Sequence, residues 1–145
     1  MAKDKNPSTV SADIKRNRLV IKLRGDVPKK DAERLYTDIR FCVSDLKPSF
    51  AVITDLTEAR IGHLSAIDTF KKITGYLAEK DVGPVIRIVG QAKVFFQQIS
   101  KLTQQINGYQ AMYVKTMEEA ELLLTELAGR QTASSSNDAL AAGGD

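Results

Sequence analysis

The sequence predicts an α/β domain: a five-stranded, mostly parallel sheet with an antiparallel first strand, and four helices packed on one face. Three observations carry this. Short apolar stretches alternate with longer segments whose apolar residues recur every three or four positions, the periods of strands and helices. Strands that alternate with helices pair in parallel through crossovers. Charges interrupt the strands: Lys22 and Arg24 in the second, and Arg87 amid Val85, Ile86, Ile88 and Val89. Covering both faces would bury such charges at a cost of several kcal/mol each. All helices are therefore expected on one side, with the charges in water on the other.

Each element follows from local pattern. "TVSADIK" (9–15) and "RLVIKLR" (18–24) read as a hairpin turning at Arg16 and Asn17, with Leu19, Ile21 and Leu23 alternating against charges. In "PKKDAERLYTDIRFCVSDL" (28–46), Ala32, Leu35, Tyr36, Ile39, Val43 and Leu46 form one helical stripe. Pro28 suits a first helical turn and Pro48 forbids further helix. "FAVITDL" (50–56) is the third strand and Leu64 to about Lys80 the second helix, with Leu64, Ile67, Phe70, Ile73 and Leu77 facing the core. After Gly83-Pro84 comes "VIRIVG" (85–90), then a third helix over 92–106 closed by Asn107-Gly108. "AMYVK" (111–115) is the fifth strand. Thr116 opens the last helix, with Glu119 three residues on as a capping box. A domain over 9–129 is expected, with a flexible N-terminus over 1–8 and a small, polar, disordered tail over 130–145.

Composition narrows the function classes. A chain of 145 residues suits one soluble domain, and its formal charge is +3. The first thirty residues are basic, from Lys3 and Lys5 through Lys15, Arg16, Arg18, Lys22, Arg24, Lys29 and Lys30. No aromatics interleave with these cations, which argues against a nucleic-acid surface. The single Cys42 cannot form an internal disulfide and, in its helical stripe, reads as a small hydrophobe in a reducing compartment. The polar N-terminus and the lack of a long apolar run predict a cytoplasmic protein without a membrane span.

The order of elements, with "RLVIKLRGDV", "FAVITDLTEARIGHLSAIDTF" and "PVIRIVG", resembles the STAS domains, the fold of bacterial anti-sigma-factor antagonists. The closing "YVKTMEEAELLLTEL" looks still more like the uncharacterised STAS-like subgroup grouped with lipid-transfer proteins of the CRAL-TRIO type. The resemblance spans roughly residues 9–129. It implies a regulatory domain whose protein partner is a kinase or another anti-sigma-type regulator. Typical antagonists carry Asp-Ser-Ser-Gly at the start of the second helix, with the first serine phosphorylated. In register from Asp55, His63 stands at that Asp, Leu64 at the phosphorylated serine, Ser65 at the second serine and Ala66 at the Gly. The acceptor is missing in register, and Ser65 replaces it only if the loop shifts by one residue.

"DLTEARIGHLSAIDTF" (55–70) holds the only histidine and the densest set of reactive side chains. Asp55, His63 and Ser65 are the residue types of a hydrolytic triad. Ser65 nevertheless stands two positions from His63, outside any Gly-x-Ser-x-Gly setting. A simpler role for Ser65 is to cap the second helix, with Asp68 completing the box. A phosphate on Ser65 would meet the helix amides and Arg60, against repulsion from Asp55, Glu58 and Asp68. One histidine with scattered carboxylates is no metal cluster, and no cofactor is called for. Binding falls instead to the carboxyl ends of the strands, where ligands of parallel sheets gather. There Thr57, Glu58, Arg60, His63 and Ser65 stand beside Gln91 and Lys93, and Arg60, His63 and Lys93 together suit an acidic group. The leading expectation is a non-enzymatic interaction domain working through this loop. The alternative is a carrier for a small apolar or acidic ligand, lipid included, with Phe41, Phe70, Phe95, Phe96 and Tyr109 lining a pocket between helices and sheet. Oligomeric state stays open.

Overall fold

The computed structural model describes residues 7–62, 64–89 and 111–129. The helix expected over 92–106 and the tail 130–145 lie outside these residues, and of the expected N-terminal extension only Pro7 and Ser8 are described. A single mixed sheet holds the strands in the order β1-β2-β3-β4-β5. They are β1 (Thr9–Asp13), β2 (Arg18–Val27), β3 (Ala51–Gly62), β4 (Val85–Ile88) and β5 (Ala111–Val114). β1 runs antiparallel to β2 and every other neighbour pair is parallel. Three helices are described: α1 (Lys29–Val43), α2 (Ile67–Glu79) and α3 over residues 117–129.

The hairpin closes where the sequence places it. Asn17 takes a left-handed φ of 54° and donates its amide to Ile14 O at 3.2 Å. That conformation suits asparagine better than most non-glycine residues. α1 begins directly after Pro28, whose carbonyl accepts from the Ala32 amide at 3.0 Å. The Thr116 cap of α3 also forms, with the return bond from Glu119 made one residue before the usual capping-box partner. The Glu119 amide donates to Thr116 Oγ1 at 3.1 Å, and Glu119 Oε2 reaches back to the Lys115 amide at 3.2 Å.

The ladder sorts the strand residues between the two sheet faces. Leu19 pairs with Val52 and Val52 with Val85, so these three side chains share one face. Together with Leu35 and Ile39 of α1 and Ile73 and Leu77 of α2 they belong to the main core. The alternate residues, Ile53, Ile86 and Ile88, turn the other way and pack with Ala120, Leu123 and Leu124 of α3. This corrects the one-sided architecture: the last helix covers the opposite face. The cause is connectivity. Right-handed crossovers through a sheet of consecutive order put the crossover helices on one side, as α1 and α2 are. α3 follows the final strand and is bound by no crossover. It therefore covers the apolar residues the first layer leaves bare.

A second correction follows for the charges. Arg87 pairs with Thr54 across the ladder, which puts it on the α1/α2 face, where it is only 3 % exposed. Lys22 does lie on the other face, half-buried, with its ammonium 3.2 Å from Glu58 and 3.9 Å from Asp55. The charges in β2 and β4 thus read alike in sequence and part company in space.

Candidate functional site

The residues expected on a loop after strand three lie mostly on the strand itself. β3 continues to Gly62 because β2 is ten residues long and offers Arg24–Val27 as pairing partners. An irregularity at residues 55–58 makes the extension fit. Asp55 Oδ1 accepts from the Thr57 amide at 3.0 Å and from Thr57 Oγ1 at 2.7 Å, a side-chain turn that shifts the register by one residue. Glu58 then pairs with Lys22 at 3.2 Å and Arg24 at 3.6 Å, on the α3 side of the sheet. Thr57 and Glu58 are therefore occupied in holding the strand. Arg60 stands clear at 77 % side-chain exposure, its Nε 3.5 Å from Asp26. An ion pair so exposed is worth little, so Arg60 keeps its charge available to another molecule.

The chain then enters α2 through a 3₁₀ turn, Leu64–Ala66. Here two expectations are corrected. The N-cap of α2 is Ala66, which brings no side-chain cap bond, so Ser65 does not cap this helix. Ser65 sits one position earlier, exposed in the 3₁₀ turn, because that turn delays the start of the α-helix. Leu64 is not a core residue either: it is 81 % exposed. The core stripe of α2 starts with Ala66 and continues through Thr69, Ile73 and Leu77. Arg60, Leu64, Ser65, Lys71 and Lys72 are all exposed. His63, Gln91 and Lys93 lie outside the described residues, so of the expected acid-binding trio only Arg60 is placed.

A second site lies under the sheet. Between β2–β4 and helices α1 and α2 is a cavity of about 50 Å³, walled in part by Ile39, Thr54, Phe70, Thr74, Leu77 and Arg87. Phe70 is half-buried at its edge, as the pocket reading expects. Phe41 is not part of it, being 78 % exposed on the outer side of α1. Phe95, Phe96 and Tyr109 are outside the described residues. Arg87 enters this cavity from β4, its Nη1 donating to Tyr113 Oη at 3.2 Å with the guanidinium 5.8 Å from that ring. Sequence reasoning missed Arg87 as a site residue. The signal was an arginine amid apolar residues of both parities, since a strand apolar on both faces is covered on both faces.

Cys42 is half-buried, and burial pushes its thiol pKa up, with Asp38 and Asp45 adding to the shift. Both effects hold it as the less nucleophilic thiol. Among the described residues no three His, Cys, Asp or Glu side chains are grouped to hold a metal ion. Among the same residues no helix is long and apolar enough to cross a membrane.

No family model matches the chain, and no curated protein matches it. Solved structures do. An uncharacterised protein of the DUF3478 family with a SpoIIAA-like fold, from Shewanella loihica PV-4, superposes with a TM-score of 0.65 at 16 % identity, over 86 % of this chain and 98 % of that one. The unphosphorylated anti-sigma factor antagonist SpoIIAA matches at 0.53 and 13 % identity, over 82 % and 97 % of the two chains. The murine Solute Carrier 26 family member A9 anion transporter matches at 0.60 and 10 % identity, over 83 % of this chain and 22 % of that one. The chain has the SpoIIAA-like, STAS-type fold.

Proposed function

We propose that the chain is a non-enzymatic regulatory domain that binds a protein partner through the β3–α2 junction. The observation behind this is Leu64, an aliphatic side chain 81 % exposed at the entry to α2. Single exposed leucines are ordinary on protein surfaces. This one stands at the carboxyl end of a parallel strand, where the partners of such sheets gather, with the exposed cations Arg60 before it and Lys71 and Lys72 after it in the chain. An apolar centre with a charged rim is the anatomy of a protein contact, and the partner that fits has an apolar recess edged by carboxylates. The likeness to SpoIIAA, an anti-sigma factor antagonist, favours a kinase or anti-sigma-type regulator in that role. Ser65, exposed in the same turn, is the candidate phosphoacceptor, and a phosphate there would set two negative charges in the middle of the surface. The lone Cys42 favours a reducing, cytoplasmic setting.

The experiment is a photo-crosslinking amino acid at position 64, with position 41 on the outer side of α1 as the control. In the native cell a single partner is captured at 64 and not at 41. Arg60→Glu then weakens binding of that purified partner about tenfold, with an unchanged melting temperature. Equal capture at both positions, or a partner indifferent to Arg60→Glu, overturns the reading. Intact mass of protein from its own cells shows whether Ser65 carries a phosphate.

The carrier reading has the cavity between helices and sheet in its favour. At about 50 Å³ that space is far below what a lipid chain needs. What the cavity suits is much smaller.

A further inference from the structure

We propose that the cavity on the α1/α2 side of the sheet binds a small planar oxyanion, a carboxylate of acetate size, with its oxygens on the Arg87 guanidinium and its apolar end toward Ile39 and Leu77. This deepens the carrier reading and is independent of the partner surface.

Arg87 is placed by the ladder opposite Thr54, so its side chain rises from β4 into the space under the crossover helices. Tyr113, its neighbour on β5, holds one Nη by a hydrogen bond of 3.2 Å. Arg87 has further interactions as well, and a bound anion would share the guanidinium with them. Among the described walls the other side chains are apolar except for the hydroxyls of Thr54 and Thr74, and none is a carboxylate. A fixed positive charge in such surroundings attracts an anion far more strongly than the same charge in water would. The planar fork of arginine matches the two oxygens of a carboxylate, which a spherical ion cannot do. Thr74 Oγ1 is committed to Phe70 O at 3.0 Å. Thr54, across the ladder from Arg87, is the hydroxyl placed to donate to the anion.

Size sets the ligand class. By the measure that gives this cavity about 50 Å³, one water needs roughly 10–15 Å³, which leaves room for about four heavy atoms. Acetate, bicarbonate and nitrate have that size and shape. Among the described walls Phe70 is the most exposed, half-buried where the others are buried, so exchange with solvent runs past it.

The test titrates acetate, bicarbonate and nitrate into the folded protein at constant ionic strength, with chloride as the balancing ion. The readouts are the Arg87 Nε–Hε resonance and saturation transfer from protein methyls to the acetate methyl. Expected are saturable shifts with at least one planar anion, competition between planar anions, and none by chloride. Arg87→Lys weakens binding about tenfold. Leu77→Phe, which fills the cavity, removes it. Should either variant fail to fold, Thr54→Val keeps the volume and loses one donor, and weakens binding several-fold. Absence of a saturable shift with every planar anion overturns the proposal. So does chloride competing as well as nitrate, or affinity unchanged in a folded Leu77→Phe or Thr54→Val protein. These results leave crosslinking at position 64 untouched, so the two proposals fail separately.

Discussion

The two faces of the sheet solve the same problem, a cation on a strand, in opposite ways. On the α3 face Lys22 and Arg24 are only half-buried and meet Glu58 at 3.2 and 3.6 Å from the neighbouring strand. On the α1/α2 face Arg87 is closed in, with a tyrosine from the next strand as one of its partners. The first arrangement keeps two cations partly in water beside a carboxylate, although the same face also holds Arg18, 12 % exposed, against Glu121 of α3. The second keeps a charge out of water, which is costly and persists only with well-placed partners. Charge on a strand therefore does not reveal which face is wet. The residues across the ladder do.

The largest effect should come from the apolar half of the α3 face. Ile86 is fully buried there, and Ile86→Ala should cost about 2–4 kcal/mol in urea unfolding, as for a core position. A loss under about 1 kcal/mol would mark that face as open and break the comparison. Next comes the pair of cations. Arg87→Ala strips Tyr113 of a partner and leaves a void, with an expected loss of about 2–4 kcal/mol. Lys22→Ala, at 33 % side-chain exposure, should cost less than about 1 kcal/mol. Comparable losses for the two would erase the distinction between the faces.

Smaller effects sharpen it. Thr116→Ala removes the cap of α3 and should lower stability by about 1 kcal/mol, with hydrogen exchange rising first in residues 117–129. Glu121→Gln weakens the clasp between α3 and β2, in which Arg18 Nη1 reaches both carboxylate oxygens at 2.8 Å. Because Glu121 is 44 % exposed, about 0.5–1 kcal/mol is expected. The smallest signal is chemical. With its pKa raised, Cys42 holds less thiolate at neutral pH than a free cysteine, so alkylation should be slower and should accelerate as pH rises. A rate equal to that of free cysteine at pH 7 contradicts the environment described for it.

What the sequence made legible was whatever local chemistry decides. Asn17 at the hairpin, Pro28 before α1 and the Thr116–Glu119 cap each act within a few residues, and each stands where the pattern puts it. The order of the described strands and helices was readable for the same reason, and with it the STAS-type fold. The face of α3 was not, because nothing inside "MEEAELLLTEL" says on which side of a sheet its apolar stripe will land. Leu64 fitted the helical period of α2 but precedes the helix, and a 3₁₀ turn rotates it outward. Arg87 looked like a surface charge because a lone arginine in a strand usually is one. Only its partner Thr54 on β3 and the helices above them decide otherwise.

The orientation of Arg87 is the point on which both sheet faces and the anion cavity depend, and one nuclear Overhauser experiment reads it directly. In protein with labelled methyls and guanidinium groups, Arg87 Hε should show cross-peaks to methyls of Ile39 and Leu77. Cross-peaks to Leu123 and Leu124 instead would place Arg87 on the α3 side and contradict the account.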